Sequence, residues 1–150
     1  MYDNPWLLDG QPFDTPDING YAGFVYLITS LIDNRKYIGR KYFYSSRKVS
    51  KKAKRRTKSE SNWKDYYGSS DELKAEIEKH GKENFRRDIL SLHSTKGRVN
   101  YEEVREQFLH GVLEEDGYIN GNINGKWHKS PDHIREKSRY STRASRGSSE

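Results

Sequence analysis

Cysteine is absent from the 150 residues. That excludes a disulfide frame, a Cys-ligated zinc site and a thiol nucleophile, and with them cysteine proteases, zinc fingers and the zinc deaminases. Any bound metal is left with oxygen or imidazole ligands. The five histidines, His80, His93, His110, His128 and His133, show no ligand spacing such as His-x-x-x-His. No run approaches the ~20 consecutive apolar residues of a membrane span, and the start Met-Tyr-Asp-Asn-Pro lacks the basic and apolar regions of a secretory signal. The expectation is a soluble protein of the cytoplasm. Hydrophobic residues make up only 31% of the chain against 33% charged, with a mean hydropathy of −1.16. Such a balance would read as disorder were it not for eleven Tyr, five Phe and three Trp, which imply a compact core with polar extensions. The length suits one domain.

Lys and Arg number 28 against 22 acidic residues, a formal net charge of +6. Residues 47–58, Arg-Lys-Val-Ser-Lys-Lys-Ala-Lys-Arg-Arg-Thr-Lys, hold eight of the basic residues and no acid, so the rest of the chain has 20 basic against 22 acidic residues. The whole positive excess is thus one local stretch. That is the pattern of a polyanion-binding loop rather than of a uniformly basic surface. Arg47, Lys48, Lys51, Lys52, Lys54, Arg56 and Lys58 are its candidate phosphate contacts.

Residues 1–22, with Pro5, Pro12, Pro16 and several Asp, read as a loop-rich arm whose docking points are Trp6, Leu7 and Leu8. The core begins at Gly23. Phe24 to Ile28 and Lys36 to Tyr44 are β-rich runs joined by Asp33-Asn34-Arg35, a hairpin with a long loop. Ser69 or Ser70 caps a helix that opens with Asp71 and Glu72, turns Leu73 and Ile77 inward and ends at Gly81. Phe85, Ile89, Leu90 and Leu92 mark a third strand, and the spacing of Tyr101, Val104, Phe108 and Val112 predicts a second helix. Residues 129–150 are polar and rich in Ser and Arg, the composition of a disordered tail. The order ββ, basic loop, α, β, α describes a small α/β or α+β domain on a three-stranded sheet.

Phe-Val-Tyr at 24–26, followed eleven residues after Tyr26 by Tyr-Ile-Gly at 37–39, resembles the paired motifs of the GIY-YIG endonuclease family, with the first motif loosened and the second intact. Downstream, the block Tyr67 to Phe85, Tyr-Gly-Ser-Ser-Asp-Glu-Leu-Lys-Ala-Glu-Ile-Glu-Lys-His-Gly-Lys-Glu-Asn-Phe, is similar to a segment of the phage homing nucleases of that family. The resemblance covers about Gly23 to Asn124. It implies a three-stranded antiparallel sheet flanked by helices over residues 23–128, Mg²⁺- or Mn²⁺-dependent cleavage of DNA, and, if the gene is phage-borne, action in the host cytoplasm.

Phosphodiester hydrolysis needs a nucleophilic water, a base for its proton, and positive charge where the phosphoryl oxygens become more negative. Tyr26 and Tyr37 lie on paired strands, so their hydroxyls can converge on one face. A nearby lysine or metal lowers a phenol pKa from its ordinary ~10. The resemblance implies that they position or deprotonate the water. Gly39 lacks a Cβ that could block the approach of DNA. Alternation puts Arg40 and Lys41 on opposite faces, and parity favours Lys41 as the cation beside Tyr37. The family's helical Arg and His have no clean counterpart. Counting ten residues from Tyr37 gives Arg47, and counting back from Ser69-Ser70 gives Arg55, so Arg55 and Lys41 rank above Arg47. The metal carboxylate belongs on the second helix, where Glu102, Glu103 and Glu106 compete. Asn100-Tyr-Glu-Glu103 matches phage relatives, whereas Arg-Glu-x-Phe at 105–108 would select Glu106. Glu103 is preferred with Glu106 as substitute, and the resemblance implies a bracing Asn whose closest counterpart is Asn120 in Tyr-Ile-Asn, with Asn122 as the alternative. The alternative from another class is a non-catalytic basic protein that grips nucleic acid without cutting it.

Overall fold

The computed structural model describes residues 2–48 and 56–129. β1 (Leu7–Leu8) and β2 (Gln11–Pro12) form a tight hairpin, and β3 (Gly23–Ser30) and β4 (Lys36–Tyr42) a longer one. β5 (Tyr44–Lys48) and β6 (Arg56–Glu60) make a separate ribbon. α1 (Asp71–His80), β7 (Phe85–His93) and α2 (Lys96–Leu109) follow, then a small hairpin of β8 (Asn122–Ile123) and β9 (Trp127–His128).

The main sheet is five-stranded and mixed, in the order β2-β1-β7-β3-β4, which corrects the expected three-stranded antiparallel sheet. The three expected strands form its antiparallel centre, with β3 between β7 and β4. The other two strands come from the arm: β1 runs parallel to β7, with Leu7 opposite Asp88. The physical reason is Trp6. Its fully buried ring lies 4.9 Å from that of Phe24 and 5.0 Å from that of Tyr26, and its Nε1 donates to the Trp63 carbonyl at 2.7 Å. Once this large apolar group is seated, the two leucines after it fall beside the free edge of β7.

Arg87 secures the same junction. It is fully buried with its guanidinium carbon 4.6 Å from the Trp6 ring and 4.1 Å from the Tyr67 ring. It donates to the Asn4 carbonyl from Nη2 at 2.6 Å and to the Tyr66 carbonyl from Nη1 at 2.8 Å. Charge-assisted bonds to backbone oxygens thus couple the arm to the segment that precedes α1.

β3 is buried on both faces, which is why Phe-Val-Tyr-Leu-Ile is continuously apolar rather than alternating. Its odd and even residues feed two cores. Phe24, Tyr26 and Ile28 pack with Trp6, Phe43, Trp63, Leu73 and Phe85 on one side. Val25 packs with Ile38, Val112, Leu113 and Ile123 on the other. The α1 cap is Ser70, whose Oγ accepts from Leu73 N at 3.2 Å.

Two sequence expectations change. The ends of the basic stretch are strand rather than loop: Arg47 and Lys48 belong to β5, and Arg56 and Lys58 to β6, with Lys48 opposite Arg56. The ribbon is anchored at its base by Ser61, which donates from N to the Phe43 carbonyl and from Oγ to the Tyr42 carbonyl. Lys51, Lys52, Lys54 and Arg55 lie outside the described residues, as does the expected tail beyond Lys129. The second helix turns a different face inward. Tyr101 and Phe108 are 58% and 49% exposed, whereas Val99, Glu102 and Gln107 are buried. Val112 is buried beyond the helix end. Among the described residues, no helix is long and apolar enough to cross a membrane.

Replacing Trp6 by Ala removes the ring that docks the arm. It is expected to cost about 3–5 kcal/mol of unfolding free energy, measured by urea denaturation.

Candidate active site

β4 is the outer strand of the sheet, and its free edge is covered by residues 117–120 rather than by another full strand. Lys36 N donates to Gly117 O at 2.8 Å and Ile119 N donates to Lys36 O at 2.7 Å. The Asn120 carboxamide then takes over. Its Oδ1 accepts from Ile38 N at 3.1 Å and its Nδ2 donates to Ile38 O at 2.8 Å, as the backbone of a neighbouring strand would. Asn120 is buried, so neither bond competes with water. Beyond it the edge of β4 opens onto a cavity of about 520 Å³.

Tyr37 and Arg40 from β4, Ser69 and Ser70 before α1, Glu103 and Gln107 from α2, and Asn120 all line this cavity. Tyr37 and Tyr26 share a face because Tyr26 pairs with Gly39, two residues beyond Tyr37. Their ring centroids are 6.3 Å apart. Gly39 is explained by Tyr26: a Cβ built on it would lie 2.6 Å from Tyr26 Cζ. The missing side chain thus makes room for a phenol of the protein itself, which corrects the expectation that it makes room for DNA. Gly68 closes the other side in a left-handed conformation (φ +96°), and a Cβ there would sit 3.4 Å from both the Tyr26 hydroxyl and the Tyr37 ring.

Sealed in this way, Tyr26 has its phenol pKa pushed well above the ordinary value by burial, with neighbouring Tyr66 and Tyr37 adding to the rise. Tyr37 is also raised by burial, partly offset by the Ser69 hydroxyl. The expected lowering is therefore reversed in the protein alone, because desolvation outweighs the nearby cations. Both tyrosines remain neutral phenols at neutral pH.

Lys41 stands outside the cavity. Its Nζ lies 4.2 Å above the ring of Tyr66, and burial lowers its pKa. The Tyr66 ring in turn meets Tyr26 edge-on at 6.1 Å. The cation in the cavity is Arg40, whose Nε lies 3.3 Å from Glu103 Oε1. Alternation along β4 puts Arg40 on the face opposite Tyr37, which is why parity favours Lys41. At an edge strand, side chains from both faces can curl around the rim. Arg47, Lys48 and Arg56 are placed by their backbones on the ribbon, and Lys58 Nζ lies 4.9 Å over the Tyr44 ring.

The three glutamates separate cleanly. Glu102 is held between Arg98 at 2.6 Å and Arg105 at 3.3 Å, and Glu106 lies 3.3 Å from His110 one turn along the helix. Of the three, Glu103 is the one that lines the cavity. Its carboxyl pKa is raised by burial, with Arg40 pulling the other way. Gln107 escaped the sequence reading, although it follows Glu103 at the i, i+4 spacing that puts two side chains on one helix face.

The family model described as "Putative endonuclease segE, GIY-YIG domain" matches residues 6–123. The chain belongs to the GIY-YIG endonuclease family. No curated protein and no solved structure matches it significantly. The family match starts at Trp6, and so takes in the arm residues that complete the sheet.

GIY-YIG nucleases typically use a divalent metal. Among the described residues, no three His, Asp or Glu side chains gather as a closed ligand cage. Mg²⁺ does not require one, because it is commonly held by one or two carboxylates and keeps several waters. Among the described residues, the two buried side-chain atoms without a hydrogen bond are Arg40 Nε and Gln107 Oε1, and both belong to residues beside Glu103. Arg40 is near enough for Coulomb attraction, but its N–H is not aimed at the carboxylate. Unsatisfied groups of this kind are rare in cores, and of the two only the Gln107 Oε1 is an acceptor.

Because Glu103 has a folded-state pKa above its unfolded value of about 4.3, the native state binds the extra proton. Stability is complete below that value and falls as pH rises through the folded pKa. The neutral isostere Glu103→Gln is therefore expected to be more stable than wild type at neutral pH. The difference should vanish near pH 4, the lower end of that window, and thermal denaturation across pH measures it.

Proposed function

We propose that this protein is a Mg²⁺- or Mn²⁺-dependent DNA endonuclease whose catalytic centre is the cavity at the outer edge of β4. The observation that carries this reading is the presence of Tyr37, Arg40 and Glu103 in one cavity of a GIY-YIG chain. Glu103 would hold the ion, with Glu102 and Glu106 engaged elsewhere. When bound, the ion supplies positive charge beside the scissile phosphate.

The chain's own groups provide the rest. Tyr37, a neutral phenol with Ser69 beside it, donates to and orients the attacking water or a phosphoryl oxygen. Tyr26, locked between Gly39, Gly68 and Tyr66, fixes the position of Tyr37 by ring contact and stays out of solvent. Arg40, half-exposed beside Glu103, swings its guanidinium to the phosphoryl oxygens, where charge grows during attack. That assigns Arg40 the role for which Lys41, Arg55 and Arg47 were sequence candidates. Lys41, held on Tyr66, supports the tyrosine cluster from outside. Asn120 braces the strand that carries Tyr37 and Arg40.

The ribbon of β5 and β6 carries the DNA grip. Arg47, Lys48, Lys51, Lys52, Lys54, Arg56 and Lys58 track phosphates on either side of the cut, a contact that is strongly salt-dependent and carries no sequence information. In this reading the nuclease unit is residues 23–128, the arm of residues 1–22 stiffens its sheet, and the protein acts in the cytoplasm of the cell that holds its DNA target.

A plasmid-nicking assay tests the proposal. Wild type is expected to cut with Mg²⁺ and to stop with EDTA. Glu103→Ala and Tyr37→Phe should lose at least about 10²-fold in rate, the scale of a general acid–base or electrostatic contribution, with unchanged circular dichroism. A folded wild type that binds DNA but leaves the plasmid closed in Mg²⁺ and in Mn²⁺ would favour the non-catalytic reading instead.

A further inference from the structure

Gln107 is 4% exposed, yet its Oε1 has no hydrogen-bond partner. Its orientation is not arbitrary. Nε2 faces two acceptors, the Ile38 carbonyl at 2.9 Å and Glu103 Oε2 at 3.5 Å, so exchanging the amide's oxygen and nitrogen would set oxygen against oxygen twice. The orphan is therefore the acceptor end of the amide. It belongs to a residue that lines the same cavity as Glu103, one helical turn away.

The Gln107 bond to Ile38 is also redundant. The Ile38 carbonyl already accepts from Asn120 Nδ2 at 2.8 Å, so the fold does not need Gln107 there. A buried glutamine with a dispensable donor bond and an idle acceptor is poorly explained by packing. An apolar residue of similar shape would avoid the unmet acceptor, which costs about 1–3 kcal/mol when buried.

We infer that Gln107 is a positioning residue of the metal site. Its Nε2 steadies the Glu103 carboxylate. In that same orientation its unpartnered Oε1, on a residue that lines the cavity beside Glu103, is an acceptor for the hydration shell of a divalent cation held there. The cation's water molecules are strong donors, and Mg²⁺ and Mn²⁺ sites that rest on one carboxylate depend on such outer contacts. The inference rests on the assignment of Glu103 as the metal carboxylate, and the test separates the two.

Mn²⁺ binding by the full chain, without DNA, is followed by electron paramagnetic resonance for wild type, Glu103→Gln, Gln107→Met and Gln107→Glu. Glu103→Gln is expected to abolish binding. Gln107→Met should weaken it about tenfold, the lower end of the loss seen for outer-shell ligands, while its metal-free melting temperature stays near that of wild type. Gln107→Glu keeps an oxygen at the position and should bind at least as tightly as wild type. Wild-type affinity in Gln107→Met, with Glu103→Gln still dead, overturns the role of Gln107 alone. Equal binding by wild type and Glu103→Gln, or none by either, overturns the Glu103 assignment and this inference with it. If Gln107→Met does not fold, Gln107→Glu decides: binding weaker than wild type overturns the inference.

Discussion

The carboxamide of Asn120 stands in for a strand. A sheet that ended at β4 would leave a row of backbone donors and acceptors open to water or to another chain. A sixth full strand would remove that hazard but would also wall off Tyr37 and Arg40. By satisfying both polar groups of Ile38 with one side chain, Asn120 terminates the ladder in a single residue. The space beyond it remains available for chemistry. Tyr37 and Arg40, on opposite faces of the same strand, meet the α2 residue Glu103 because this edge is finished so economically.

A second constraint is the crowding of phenols behind the cavity. Tyr26 is immobilised by glycines at 39 and 68 and by the Tyr66 ring, and Tyr66 is itself fixed through its carbonyl by buried Arg87. Arg87 also holds the arm through Asn4 and Trp6. The first residues of the chain and the floor of the cavity are thus linked by a short run of direct contacts. In front of this rigid floor, Glu103 is a carboxylate placed where burial works against its charge and where one cation is too poorly aimed to compensate. The charge of such a carboxylate is incompletely offset by its own protein.

Much of the fold could be read from local pattern. The β3–β4 hairpin, α1 with its serine cap and Gly81 stop, and β7 all followed from apolar runs and turn residues whose signals lie within a few positions of one another. α2 was legible as a helix but not in its orientation. Its buried stripe contains Glu102 and Gln107, so a search for apolar spacing selected Tyr101 and Phe108, which the structure leaves exposed. A helix that lines a site breaks the rule that its inner face is apolar. The same blindness hid β1 and β2, where two leucines after a tryptophan in a proline-rich arm carry no strand periodicity.

The sequence by itself determined the components: two spaced tyrosines, a glycine where no Cβ can fit, glutamates on one helix, and a basic stretch that holds the whole charge excess. These are properties of covalent order and residue type, and they survive without knowledge of what touches what. Only the tertiary structure decided which members meet. It put Glu103 and Arg40, rather than Glu102, Glu106 or Lys41, in the cavity with Tyr37, and Gln107 beside them. The reason is that each choice depends on the rotation of α2 about its axis and on β4 being an edge strand, and neither is encoded within the segment concerned. Both are set by contacts with residues 112–123 and with the rest of the sheet, far away along the chain.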